Sequence, residues 1–173
     1  MSKSEEPKKS KNDYLSSGHR SNLGNQSGYD PEIGLALHVD YICNLRKSTY
    51  DQVKLVYAIF QNDKMLVGNR QMGPVLISPD TYAVTQNKAV FGTRHVVKNI
   101  KADQSIKLVI EIQADQAPNK FLALSWTMVN LFKMIDCNLQ KGMIKLPLFQ
   151  QPTDPYIPVH QISSNCAPDS SFL

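Results

Sequence analysis

The sequence is short of the residues from which most catalytic and metal sites are built. Its three cysteines, Cys43, Cys137 and Cys166, are odd in number and show no CxxC spacing. Neither a disulfide framework nor a zinc site is expected from them, and in a reducing compartment they remain thiols. The Gly-rich patterns that cradle phosphates, GxGxxG and GxxxxGK[ST], are missing, which disfavours a nucleotide enzyme. No Asp-x-Asp pair occurs; Asp40, Asp51, Asp115 and Asp136 stand singly, whereas calcium held between loops wants about six to eight converging oxygens. These carboxylates read as turn formers and solvated charges. His38 and His95 fall in expected strands, where a histidine is most often a satisfied half-buried side chain. Cys43 lies five residues from His38 but lacks the strand-to-helix elbow that would activate a nucleophile. The expectation is a protein that is not an enzyme and has no cofactor and no metal.

Long apolar runs are also missing. Nothing approaches the roughly 20 residues of a membrane-spanning helix, and the polar start from Met1 to Lys11 has no apolar stretch of the signal-peptide kind. The cytoplasm is the default compartment. The net charge of +4 is mild, well short of the dense basic stripe of a nucleic-acid binder. The nearest approach to a base-stacking surface is Phe91 with Arg94, His95 and Lys98, which reads as an ordinary strand with a polar outer face. No nucleic-acid partner is expected.

What the chain does have is a period of two. Residues 1 to 28 are rich in Ser, Lys, Asn and Gly and offer too little apolar surface to offset the entropy of ordering, so they read as a disordered polar tail. The remainder, 29 to 173, suits a single domain. Ile33, Leu35, Leu37, Val39 and Tyr41 share one face of a half-buried strand. Val53, Leu55, Tyr57 and Ile59 repeat the alternation, and Val56, Ala58 and Phe60 on the other side make this strand central. Gly68, Gly73, Pro74 and Pro79 then predict a short strand at Met65 to Val67 followed by a long loop from Asn69 to Thr85. Ala89 to Val97 is the next strand, with Gly92 marking a bulge or bend. Ile106, Leu108, Ile110 and Ile112 give the cleanest alternation of all.

A turn at Asp115, Pro118 and Asn119 leads into Phe121 to Phe132. Leu122, Leu124, Trp126 and Met128 share a parity, which places Trp126 against the interior with its indole N–H bonded to an acceptor. A strand through Asn130 is preferred to a helix over Met128 to Ile135. A second apolar limb at Ile144 to Phe149 completes a late hairpin, held by Trp126, Leu131, Phe132, Gly142 and Leu146. Residues 151 to 171 carry four of the ten prolines and read as extended surface chain; Phe172-Leu173 reads as the start of a further strand on which the sequence stops. Short strands separated by turn signals predict an all-β, two-layer antiparallel sandwich.

With these residues in view, Gly34 to Gln113 plus the block from Trp126 to Phe149 resembles a C2 domain. The pattern of Trp126, Leu131-Phe132, Leu139, Gly142 and Leu146 is similar to the C2 domain of phosphoinositide 3-kinases. It is closer to the C2-like domain of ciliary coiled-coil proteins such as coiled-coil domain-containing protein 17, whose Tyr-Asp-Pro opening resembles Tyr29-Asp30-Pro31. Lys133 stands where the kinase pattern commonly has an acidic residue after the Leu-Phe pair. The resemblance implies a C2-like β-sandwich lacking its last strand, and a noncatalytic interaction or scaffold module of the cilium whose partners are ciliary or microtubule-associated proteins. The alternative reading is a calcium-independent domain for anionic membrane surfaces. Its contact residues would be Lys98, Lys101 and Lys107 around one expected hairpin.

Overall fold

The computed structural model describes residues 28–46, 50–81, 86–117 and 120–150, together with Pro158 and Gln161. The expectations for the N-terminal tail up to residue 27, for the proline-rich stretch after 150 other than those two residues, and for Phe172-Leu173 lie outside the described residues. Six strands are formed: β1 (Leu35–Arg46), β2 (Gln52–Gln61), β3 (Lys64–Pro79), β4 (Gln86–Val97), β5 (Ile106–Ala117) and β6 (Lys120–Asn130). They pair antiparallel throughout, in one sheet of order β1-β4-β3-β2-β5-β6. β2, β3 and β4 form a meander and β1 lies beside β4, which is a Greek-key arrangement. The expected all-β class is what forms.

The sheet curls over on itself. β3 is the pivot: from Lys64 to Leu76 it pairs with β2, and from Ile77 to Pro79 with β4. The curl brings Tyr57 of β2 to His95 of β4, hydroxyl to Nδ1 at 3.0 Å, although β3 separates the two strands in the sheet. The loop expected from Asn69 to Thr85 is therefore corrected to strand as far as Pro79. Gly68, Gly73 and Pro74 mark bends within one long strand; β3 slips register against β2 at three places and keeps pairing. Gly73 sits at φ +92°, and a Cβ there would press on Phe91 and on the Val53 carbonyl, so the turn signals read from sequence are bulge residues.

Inside the curl lies one apolar cluster. Val53, Leu55, Tyr57 and Ile59 of β2 are all buried, as are Ile106, Leu108, Ile112 and Ala114 of β5. β2 lies between β3 and β5, the central position its two covered faces predicted. Leu35 and Leu45 close the cluster from β1, and Ala89, Phe91 and Val97 from β4. Gly92, at φ +54°, is one of two β4 residues set against Asp40 alone, so the expected bulge is present. It has a consequence for β1: the alternation slips there, Tyr41 turns outward and Ile42 takes its place against the core. Ile33, placed with the apolar face by parity, precedes the strand and is exposed.

The turn before β1 is clamped to the other end of the chain's core. Tyr29 packs edge-on against Phe132, with ring centroids 5.1 Å apart. The Gly34 N–H donates to the Asp30 carbonyl (2.9 Å) and the Asn99 N–H to the Pro31 carbonyl (2.7 Å). Gly34, at φ +85°, leaves no room for a side chain, since a Cβ would stand 2.2 Å from the Val97 carbonyl oxygen.

Candidate interaction surface

The segment from Phe121 to Phe149 is built in two parts. β6 runs to Asn130, and Leu131 and Phe132 then drop into the core, the latter 0% exposed. A tight turn follows: the Lys133 N–H donates to the Asn138 carbonyl (2.8 Å) and the Cys137 N–H to the Lys133 carbonyl (3.0 Å). The chain returns through a bridge between Phe132 and Leu139 and a bond from the Gln140 N–H to the Leu131 carbonyl (2.8 Å). The expected second limb is not a strand. Residues 141–148 run without regular pairing, and only Phe149 rejoins β6, exchanging both backbone bonds with Trp126 (3.0 and 2.8 Å). Gly142, at φ +100°, and Pro147 stand in that stretch, where neither favours continuation of a ladder.

Trp126 is buried, 4% exposed, and its indole N–H donates to the Gln150 carbonyl at 2.7 Å, as expected. Its face is not the expected one. An extra residue at Leu124 shifts the β5–β6 register, so Ser125 and Thr127 point inward beside Ile112 and Ile110. Trp126 falls on the opposite side of the sheet, paired with Glu111 and packed against Phe149 at a ring-centroid distance of 5.3 Å. The same outer side carries Lys54, buried, whose ammonium sits 3.2 Å from the centroid of the Phe121 ring. Of the other residues assigned to the late hairpin, Leu131 is buried, Leu146 half-buried and Gly142 exposed.

The residues weighed for chemistry are dispersed. His38 is on the outer face of β1, 3.2 Å from the Asp40 carboxylate, and Cys43 is an exposed free thiol further along that strand. His95 is half-buried against Tyr57, whose burial raises its phenol pKa. Phe91 is buried and offers no ring for stacking. Asp51 precedes β2, Asp115 lies near the end of β5, and Asp136 caps its own turn by accepting from Asn138. Among the described residues no three His, Cys, Asp or Glu side chains stand close enough together to hold a metal ion. None of the named strands is a membrane-spanning helix, and no described helix is long and apolar enough to cross a bilayer.

Lys98 and Lys101 are exposed on the connection from β4 to β5. Lys107 is half-buried in β5 and shares a shallow depression of about 420 Å³ with Asp103, Gln104, Ser105, Asn130 and Met134. Asp103 is held below the usual carboxylate range first by the Ser105 hydroxyl, then by the Ser105 N–H (2.8 Å) and by Gln61 (3.1 Å).

Two exposed features were missed in the sequence. On the outer face of β1-β4-β3, Tyr41 pairs with Val90, and Leu76 precedes Ile77, whose partner Ala89 precedes Val90. Tyr41, Val90 and Leu76 thus form a row across three strands, each more than half exposed. The bulge that turns Tyr41 outward has no signature in periodicity. The second feature did have a signal, a Met-Ile dipeptide that occurs twice beside lysine, at Lys133-Met134-Ile135 and Met143-Ile144-Lys145.

Fold and surface together define an all-β domain, a single antiparallel six-stranded sheet curled around one core, whose distinctive features lie on its exterior. The family model for the CCDC17 C-terminal domain matches residues 36–169, and the chain belongs to that family. Tyr29-Asp30-Pro31 precedes the matched region. No curated protein matches the chain.

Proposed function

We propose that this domain is a noncatalytic protein-interaction module of C2-like architecture that serves as a scaffold in the cilium. The observation that carries the reading is the row Tyr41, Val90 and Leu76 beside the open edge of β1, which among the described strands pairs only with β4. A strand of 12 residues with a free edge presents unpaired N–H and C=O groups, and these add a partner's strand readily. The adjoining apolar row supplies side-chain contact, with tyrosine among the residues that contribute most at interfaces. The ciliary setting follows from the resemblance to ciliary coiled-coil proteins drawn from the sequence; the family match itself gives the domain family alone.

The test is proximity labelling in ciliated cells with the 173-residue chain fused to a biotin ligase, compared with Leu76→Lys and Val90→Lys variants. Both positions are exposed, so folding is expected to be retained. A set of ciliary proteins labelled by the wild type and lost from both variants is the expected result. Equal labelling by all three chains would remove the row from the interface.

A further inference from the structure

We propose that the chain leaving Gln150 continues along the outer side of β6 and sets the Asp154 carboxylate on the Lys54 ammonium, strapping that margin of the sheet. Lys54 is a buried cation in want of an anion. It is 7% exposed, with Nζ 3.2 Å from the centroid of the Phe121 ring, and a ring face offsets only part of what an ammonium loses on leaving water. A carboxylate is the usual complement. Two stand on the same side of β5: Glu111, which accepts from the Gln113 amide, and Asp115, exposed and opposite Phe121. Among the described residues no ion pair joins either of them to Lys54.

The course of the chain carries Asp154 toward this cation. Phe149 exchanges both backbone bonds with Trp126 (3.0 and 2.8 Å), and the Trp126 indole N–H holds the Gln150 carbonyl at 2.7 Å. That bridge is antiparallel, so the residues after Phe149 head toward the start of β6. Phe121 lies five residues before Trp126, and Asp154 five residues after Phe149. Five residues span about 16 Å as a strand or as a polyproline helix, and the extra residue at Leu124 only shortens the distance to be covered. Asp154 therefore arrives at the rung of Phe121. Pro152, Pro155 and Pro158 recur at a spacing of three, which suits a polyproline II chain that needs no ladder bonds. Asp154 is the one charged residue from 151 to 159, and the family match continues to residue 169, so this segment falls within the shared domain. A chain laid there shields β6 from Lys120 to Ser125, where among the described strands only β5 is paired. β1 is then the edge left open, although the strap itself does not depend on what binds β1.

The experiment is a urea-unfolding cycle on the 173-residue chain with Asp154→Asn, Lys54→Met and the double variant. Asp169→Asn, at the other aspartate beyond Gln150, is the control. Removing the Asp154 charge leaves Lys54 buried without its counter-charge, so Asp154→Asn should lower the folding constant about tenfold. In the Lys54→Met background the same substitution should change it by less than about twofold, because methionine fills the site without a charge. Asp169→Asn should unfold as wild type does. Equal effects of Asp154→Asn in the two backgrounds would overturn the inference. No effect in either would overturn it too, and is what a partner's carboxylate on Lys54 would give. Amide exchange read by mass spectrometry covers a Lys54→Met chain that does not fold: Asp154→Asn should speed exchange in Lys120–Ser125 about tenfold and leave β1 unchanged. Exchange in that stretch equal to wild type would sink the strap as surely.

Discussion

At the scale of single residues, the polar side chains that matter most are those whose bonds fix a loop. Asp103 gathers the Ser105 hydroxyl and N–H and the Gln61 amide, tying the approach to β5 to the end of β2. These donors favour the ionised carboxyl, so its pKa in the folded chain is lowered, the Ser105 hydroxyl contributing most. A depressed carboxylate pKa stabilises the fold above the unfolded value, near pH 4, and that stabilisation is lost as pH falls through the folded value. Asp103→Asn should therefore lower stability by about 1 kcal/mol at pH 7, a modest figure because water reaches the group. The gap between variant and wild type should close in acid. Urea melts at pH 7 and near pH 3 measure both; a deficit that persists undiminished in acid would show that the carboxylate charge is not its source.

At the scale of elements, the segment from β6 to Phe149 combines two kinds of anchoring that differ in energy. Phe132 lies wholly inside the core against Tyr29, so Phe132→Ala should cost about 3–5 kcal/mol through lost burial and the cavity left behind. Trp126 holds the returning chain from the outer face by its stack on Phe149 and its bond to Gln150. Trp126→Phe keeps most of the ring and removes the bond, for about 1 kcal/mol. Unfolding followed by circular dichroism distinguishes them, and equal costs would contradict the two-sided arrangement. This segment also shows what periodicity can and cannot carry. β2 and β5 were legible because every inward position is apolar along an unbroken register. The face of Trp126 was not, because one extra residue at Leu124 reverses parity without altering composition. β3 was hidden for a related reason: its glycines and Pro74 have the chemistry of a loop, and only the pairing with β2 that continues across them reveals them as bends in a strand. Tyr41 was placed inside because the slip beside Gly92 depends on a partner strand about 50 residues away in sequence. Surface sites built on such slips are beyond reach from one chain's alternation, whereas the Met-Ile pairs needed only attention to apolar residues outside any strand.

At the scale of the whole molecule, the order of strands sets where the sheet can open. β2 and β5 each have a strand on both sides and carry the largest share of fully buried side chains, among them Val53, Ile59, Ile106 and Ile112. Among the described strands β1 pairs only with β4, with two register slips along its length, and its outer face carries Ala36 and Tyr41 in solvent. Local opening is favoured where buried contact is sparse and backbone bonds face water. Amide exchange read by mass spectrometry should thus be slowest in Val53–Ile59 and Leu108–Ile112, at rates set by global unfolding, and much faster in peptides from β1. Because β3 pairs with both halves of the sheet, the two halves should lose their central protection together in denaturant. β1 exchanging as slowly as β2 would mean that its free edge is already covered, and the proposal that it receives a partner strand would fail on that result. If the edge is open, a bound partner should slow exchange in β1 while leaving β2 unchanged, since added pairing there protects only the strand it joins.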